Sequence, residues 1–368
     1  MQKIKNVEKS LMHLATKKAT VHDQVIPISQ TKRYWLRFFT NKTLLVSLII
    51  FLICFAFIIL SFFLYRANPN EPINNAYEMI RELPSELSPF KTKQLTQGDE
   101  LNLFNELAKN YKDFVFIEKV PKTNLWNVAY NAYELTNDGS IVHILGTNAS
   151  GIDIFARIIH TELSMLLLTL FATTIALFIS TLLGIGVATL LRKQLSKFIY
   201  NLFGTFAIIP YLLLSVILFL IFKNSFINAL LIFSSLSTIV LFTNAYNKTI
   251  WLLNQEFTNA DIAAGFSKWN LMTKSFFKYV FNTQLILVIE HFSLIFMSYS
   301  AISIFSIDTD HNLLIGTTIK EALDLINTNP WYLITILIIT TTFTFSFKFI
   351  AVGLNKTYDP QGENNAQK

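Results

Sequence analysis

The chain has 368 residues, 52% of them hydrophobic and only 15% charged, with 34 Phe and a mean hydropathy of +0.44. A soluble domain carries roughly 25% charged residues to solvate its surface, so this composition excludes an ordinary soluble protein and requires a surface that faces hydrocarbon. The net charge of +6 does not indicate a nucleic-acid partner, because the basic residues gather ahead of the first apolar run, and the lone Cys54 excludes an intrachain disulfide.

In chain order, residues 1–42 form a basic N-terminal segment. It holds Lys3, Lys5, Lys9, Lys17, Lys18, Lys32, Arg33, Arg37 and Lys42 against only Glu8 and Asp23. No cleavable signal peptide is evident, since the first long apolar run begins near Thr43. A bilayer core needs about 20 apolar residues in a helix. Six runs reach that length: 43–64, 163–191, 198–222, 226–250, 279–305 and 331–350. The second is long enough to tilt or to begin as an interfacial helix. The third and fourth are separated only by Lys223, Asn224 and Ser225, which predicts a tight helical hairpin.

Charge asymmetry between loops predicts the orientation. With the basic N-terminus in the cytoplasm, residues 65–161 lie outside; residues 66–161 carry nine basic and twelve acidic side chains. Arg192, Lys193 and Lys197 fall inside, as do Lys248, Lys268, Lys274 and Lys278. Asp308, Asp310, Lys320, Glu321 and Asp324 lie in an outside loop that is net acidic, and the tail 354–368 returns to the cytoplasm. Both termini are therefore predicted cytoplasmic. The predicted fold is an all-α polytopic membrane protein with a core at 162–353. Between the first two helices lies an exported loop subdomain, broken by Pro69, Pro72, Pro84, Pro89 and Pro121. Within it, 100–111 has an amphipathic helical pattern and 114–120 that of a strand.

The loop between spans four and five, about 251–278, is the most informative cytoplasmic segment. Residues 256–265 read E-F-T-N-A-D-I-A-A-G, a short helix rich in small residues that ends in a glycine suited to a left-handed C′ position. Trp269, Met272, Phe276 and Val280 then line one face of a second helix running into span five. Such an elbow is either an ordinary interfacial turn or a knob that a soluble partner grips. Within the spans, Glu290 and His291 are costly in lipid. They are read either as a pathway-lining pair or as an interhelical hydrogen bond, for instance to Asn244, Tyr246 or Asn247. No second histidine supports a metal site there. Asp153 and Arg157 have the i, i+4 spacing of an exposed helix pair, and Gly184 and Gly186 read as sites of close helix packing.

The segment 256–269 resembles the E-A-A-x-x-x-G loop of ABC-importer permeases. Its triplet aligns as Asn259, Ala260 and Asp261, its glycine as Gly265 and the following aromatic as Trp269, with Glu256 just upstream. Residues 145–157 resemble the L-G-T-D-x-x-G-R-D-x-x-S-R signature of the oligopeptide/dipeptide/nickel permeases. Leu145, Gly146, Thr147, Gly151, Asp153 and Arg157 match, whereas Asn148, Ile152 and Ala156 depart. The lead-in Trp35-Leu36-Arg37-Phe38 with Asn41-Lys42, the early Pro210 of span three, Asn329-Pro330-Trp331, Gly353-Leu354 and Asp359-Pro360 resemble further pieces of that family in order.

The resemblance implies a type I ABC-importer permease, an OppC-like subunit forming half of the translocation pathway for oligopeptides, or else dipeptides or nickel. It implies as partners an OppB-like second permease, OppD-like and OppF-like ATPases, an OppA-like external binding protein and membrane lipid. It implies a coupling loop around Gly265, no catalytic residue, and no cofactor of the chain's own, ATP being bound by the partners. No G-x-x-x-x-G-K-[ST] occurs in the chain. The rival expectation is an ion-coupled secondary transporter with Glu290 as carrier; a membrane-anchored sensor would leave five spans unexplained.

Overall fold

A computed structural model describes residues 30–71, 82–85, 89–110, 112–121, 123–136, 143–222, 225–302 and 315–358. Most of the basic N-terminal segment, the last three residues of predicted span five, Asp308 and Asp310, and the tail from Asp359 lie outside the described residues.

Four of the long helices start where a polar side chain caps an apolar run. After α1 (Gln30–Thr40), Asn41 accepts from the Leu44 amide and opens α2 (Lys42–Leu64). Its 23 residues extend about 35 Å, enough for the hydrocarbon core. Asp153 caps α5 (Ile154–Leu190), a 37-residue helix of about 55 Å that must project beyond the bilayer. Ser225 caps α8 (Phe226–Leu253) and Ser267 caps α10 (Lys268–Ile302). Pro330 sits at the first position of α12 (Pro330–Tyr358), where its missing N–H costs nothing.

Span three was predicted as one apolar run over 198–222. It is two helices, α6 (Lys193–Ile208) and α7 (Tyr211–Ile221), bent by 92°. Pro210 removes a backbone donor and breaks the ladder. With 16 and 11 residues, neither half reaches the roughly 30 Å of a bilayer core alone. Among the described residues there are thus five continuous helices long and apolar enough to cross a membrane, and a sixth span if the bent pair counts as one.

The region between α2 and α5 adds strands to a mostly helical chain. β1 (Phe90–Thr96), α3 (Asp99–Asn110), β2 (Val115–Lys119) and β3 (Leu125–Asn131) form an antiparallel sheet of order β1-β3-β2 covered by α3, with the short α4 (Ala132–Thr136) following. Leu95, Leu101, Phe104, Val115 and Val128 make its small core.

The helical core is aromatic: Phe219, Phe233, Phe296, Tyr299, Phe343 and Phe347 pack at its centre. α5 and α8 pair along their lengths, and Gly184 permits their closest approach, since a Cβ there would meet the Ala245 Cβ at 2.4 Å. Gly186, predicted to do the same, has open space around it. Two short elements complete the framework: α9 (Glu256–Ala263) and α11 (Ile315–Asp324).

Candidate functional site

The 251–278 loop is built to present a rigid knob. Thr258 is buried and donates its hydroxyl to the Leu252 carbonyl at 2.7 Å, tying α9 to the last turn of α8. Ser275 donates to Asp261 Oδ2 at 2.7 Å, tying α9 to α10. Ser275 lies in a π-helical turn, Leu271–Phe276, a geometry that costs regular hydrogen bonding and recurs at functional sites. Gly265 takes φ +87 and closes α9: its own amide bonds the Ile262 carbonyl, and the Phe266 amide bonds the Asp261 carbonyl.

What α9 and the start of α10 show to solvent is largely uncharged, a mix of small and apolar side chains. Asn259, Ala260, Ala263 and Ala264 are exposed, with Ile262 53% and Trp269 60% accessible. Glu256 is exposed in the first turn, where a carboxylate suits the helix dipole. Asp261 is turned toward α10, where its Oδ2 accepts from Ser275.

The 145–157 signature forms a second constellation at the N-terminus of α5. Here the sequence expectation is corrected: Asp153 and Arg157 are buried, and each pairs elsewhere rather than with the other. Asp153 Oδ1 accepts from the Ala156 amide at 2.7 Å; Oδ2 accepts from the Tyr65 hydroxyl at 2.6 Å and lies 2.7 Å from His143 Nδ1. Burial, then the Asp153 charge, pushes the Tyr65 phenol well above its usual pKa and keeps it a donor. Arg157 reaches Glu321 Oε1 on α11 at 2.6 Å and the Pro69 carbonyl at 3.3 Å, while Tyr332 and Asn148 donate to Glu321 Oε2.

The glycines of the signature are conformational. Gly146 and Gly151 both take φ +78, and a Cβ at Gly146 would meet the Leu83 carbonyl oxygen at 2.0 Å. Thr147 exchanges bonds with Leu83, and Asn329 donates to the Leu145 carbonyl at 2.6 Å. The signature therefore clasps α2, α5, α11 and the start of α12 together.

In the bundle, Glu290 on α10 pairs with Lys348 on α12 rather than with Asn244, Tyr246 or Asn247. Tyr246 bonds Ser196, and Asn247 bonds Tyr200. His291 is buried beside Tyr211, facing a cavity of about 310 Å³ at the α6–α7 break. Among the described residues no three His, Cys, Asp or Glu side chains converge as metal ligands.

Two comparisons assign this architecture. Residues 180–359 match the family described as the binding-protein-dependent transport system inner membrane component. Residues 29–84 match the N-terminal transmembrane domain of oligopeptide transport permease C. The chain belongs to the ABC-importer permeases of the OppC type. No curated protein matches it.

In this permease the first match covers the end of α5 through α12, including the α9 knob and the Glu290–Lys348 pair; the second covers α1 and α2. The signature at 145–157 and the sheet subdomain fall between the two matches. Family membership makes it a multi-pass membrane transport subunit working with a second permease, ATPases and a binding protein, and displaces the secondary-transporter alternative. Sequence reasoning missed Glu162, buried in α5, whose Oε1 accepts from Thr340 at 2.5 Å and whose Oε2 has no partner among the described residues. It also missed Lys348 and the π turn. An acidic residue one position before a predicted span was the available signal for Glu162.

Proposed function

We propose that this permease forms half of an ATP-driven peptide import pathway and that α9, held by Gly265, is its coupling helix. The observation carrying this reading is the double tether. Thr258 fastens α9 to α8 and Asp261 fastens it to α10, so a push on α9 moves two spans rather than deforming a loop. The exposed Ala260, Ile262, Ala263 and Trp269 suit a close apolar fit into an ATPase cleft, and Asn259 adds an uncharged polar contact. The cytoplasmic side is then the α9 side, with both termini there and the sheet subdomain outside. Oligopeptides are the cargo supported by the N-terminal domain match. In this scheme an OppB-like permease completes the pathway, OppD-like and OppF-like chains hydrolyse ATP, and an OppA-like protein delivers substrate. The chain itself is non-catalytic and binds no nucleotide.

Gly265→Asp tests this. A Cβ at Gly265 meets no neighbour, but its φ of +87 strains any side chain, so the variant loosens the left-handed close of α9 and places a charge on the docking face while leaving the spans to insert. ATP-driven uptake is expected to disappear with membrane insertion intact; unchanged uptake overturns the coupling assignment.

A further inference from the structure

The polar residues beside the bent α6–α7 pair make a compartment that coupling does not explain. The cavity of about 310 Å³ opens where Ile209 and Pro210 interrupt the helix, walled by the Tyr211 ring and by apolar side chains such as Leu236 and Leu294. Its polar lining comes from Asn244, Glu290 and His291. That volume sits at the small end of ligand pockets and takes one side chain rather than a whole oligopeptide. His291 Nδ1 is buried there without a hydrogen-bond partner among the described residues.

Glu290 lies at the rim, paired with Lys348, and their side chains are 43% and 46% exposed. Ionised groups with that exposure are expensive against hydrocarbon and face water or protein instead. A carboxylate that keeps half its surface open can accept from a second ammonium, and exchange of one ammonium for another leaves the charge balance unchanged.

We propose that this compartment, which rests on the peptide-import reading, is a station for the N-terminal end of an incoming peptide. Glu290 takes the α-ammonium, the cavity takes the first side chain, and Lys348 holds the carboxylate between substrates.

The test uses the transporter purified with its native partners through a tag on this chain and reconstituted in vesicles. Uptake of a leucine-initiated tetrapeptide and its N-acetylated form is read by mass spectrometry. Wild type is expected to favour the free amine by about tenfold, the scale of one close charge pair. Glu290→Gln is expected to bring uptake of the free amine down to that of the acetylated form, and Glu290→Asp to restore the preference. Equal loss of both peptides, loss of the partner subunits, or a preserved preference in Glu290→Gln makes the pair a packing contact and overturns the assignment. Failure of the wild type to import either peptide overturns the peptide-import reading, and this station with it.

Discussion

Asp153→Ala removes three interactions at one buried point. The N-cap bond to the Ala156 amide is worth about 1 kcal/mol. His143, buried against the same carboxylate, loses a charge-assisted partner, a cost of about 1.5–3 kcal/mol. Tyr65 loses an acceptor in a partly buried setting, adding about 0.5–1.5 kcal/mol. The sum is roughly 3–6 kcal/mol, a large share of the 5–15 kcal/mol that typically separates folded from unfolded protein. Asp153→Asn keeps a cap acceptor and loses roughly half of this. Unfolding of the purified permease in detergent, followed by tryptophan fluorescence across a denaturant series, measures both. The order expected is wild type, then Asn, then Ala. An Ala variant within about 0.5 kcal/mol of wild type would behave as a surface substitution and refute the buried-hub reading.

Gly184→Leu should separate α5 from α8, because the added Cβ starts 2.4 Å from the Ala245 Cβ; a loss of about 1–3 kcal/mol or more is expected. Gly186→Leu is the control, with open space around it and a denaturation midpoint close to wild type. Gly146→Ala should fail to yield folded protein in detergent size-exclusion runs, since both its φ of +78 and the Leu83 carbonyl forbid a Cβ, while Gly98→Ala elutes as wild type. Asp261→Ala and Ser275→Ala should each lower peptide imported per ATP hydrolysed by about threefold to tenfold, with the double variant no worse than either. Additive losses in vesicle transport assays would refute the tether.

Five of the spans were legible because an apolar helix of about 20 residues is a local signal. The loop at 256–269 was legible for a similar reason, a glycine closing a short run of small residues. The bend in span three was not legible although Pro210 was in view, because hydropathy carries no information on axis direction. The partners of Asp153, Arg157 and Glu290 were not legible. Glu321 is 164 positions from Arg157 and Lys348 is 58 from Glu290, and such pairings are set by which helices pack together. The i, i+4 spacing of Asp153 and Arg157 suggested a surface pair because local rules assume solvent on one face. Capping explains the reversal, since Asp153 is spent on the first turn of α5 and turns into the clasp. The sheet subdomain was only half legible: α3 and β2 have local patterns, while β1 and β3 are defined by each other.

The central claim is that this chain is one half of a pathway, driven through α9. Affinity purification of the full-length chain from its native membranes in a mild detergent tests it most directly. The account predicts recovery of a second multi-spanning permease and two ATPase subunits in stoichiometric amounts, with Gly265→Asp losing the ATPases and keeping the permease. A chain recovered alone, or with copies of itself only, would contradict it.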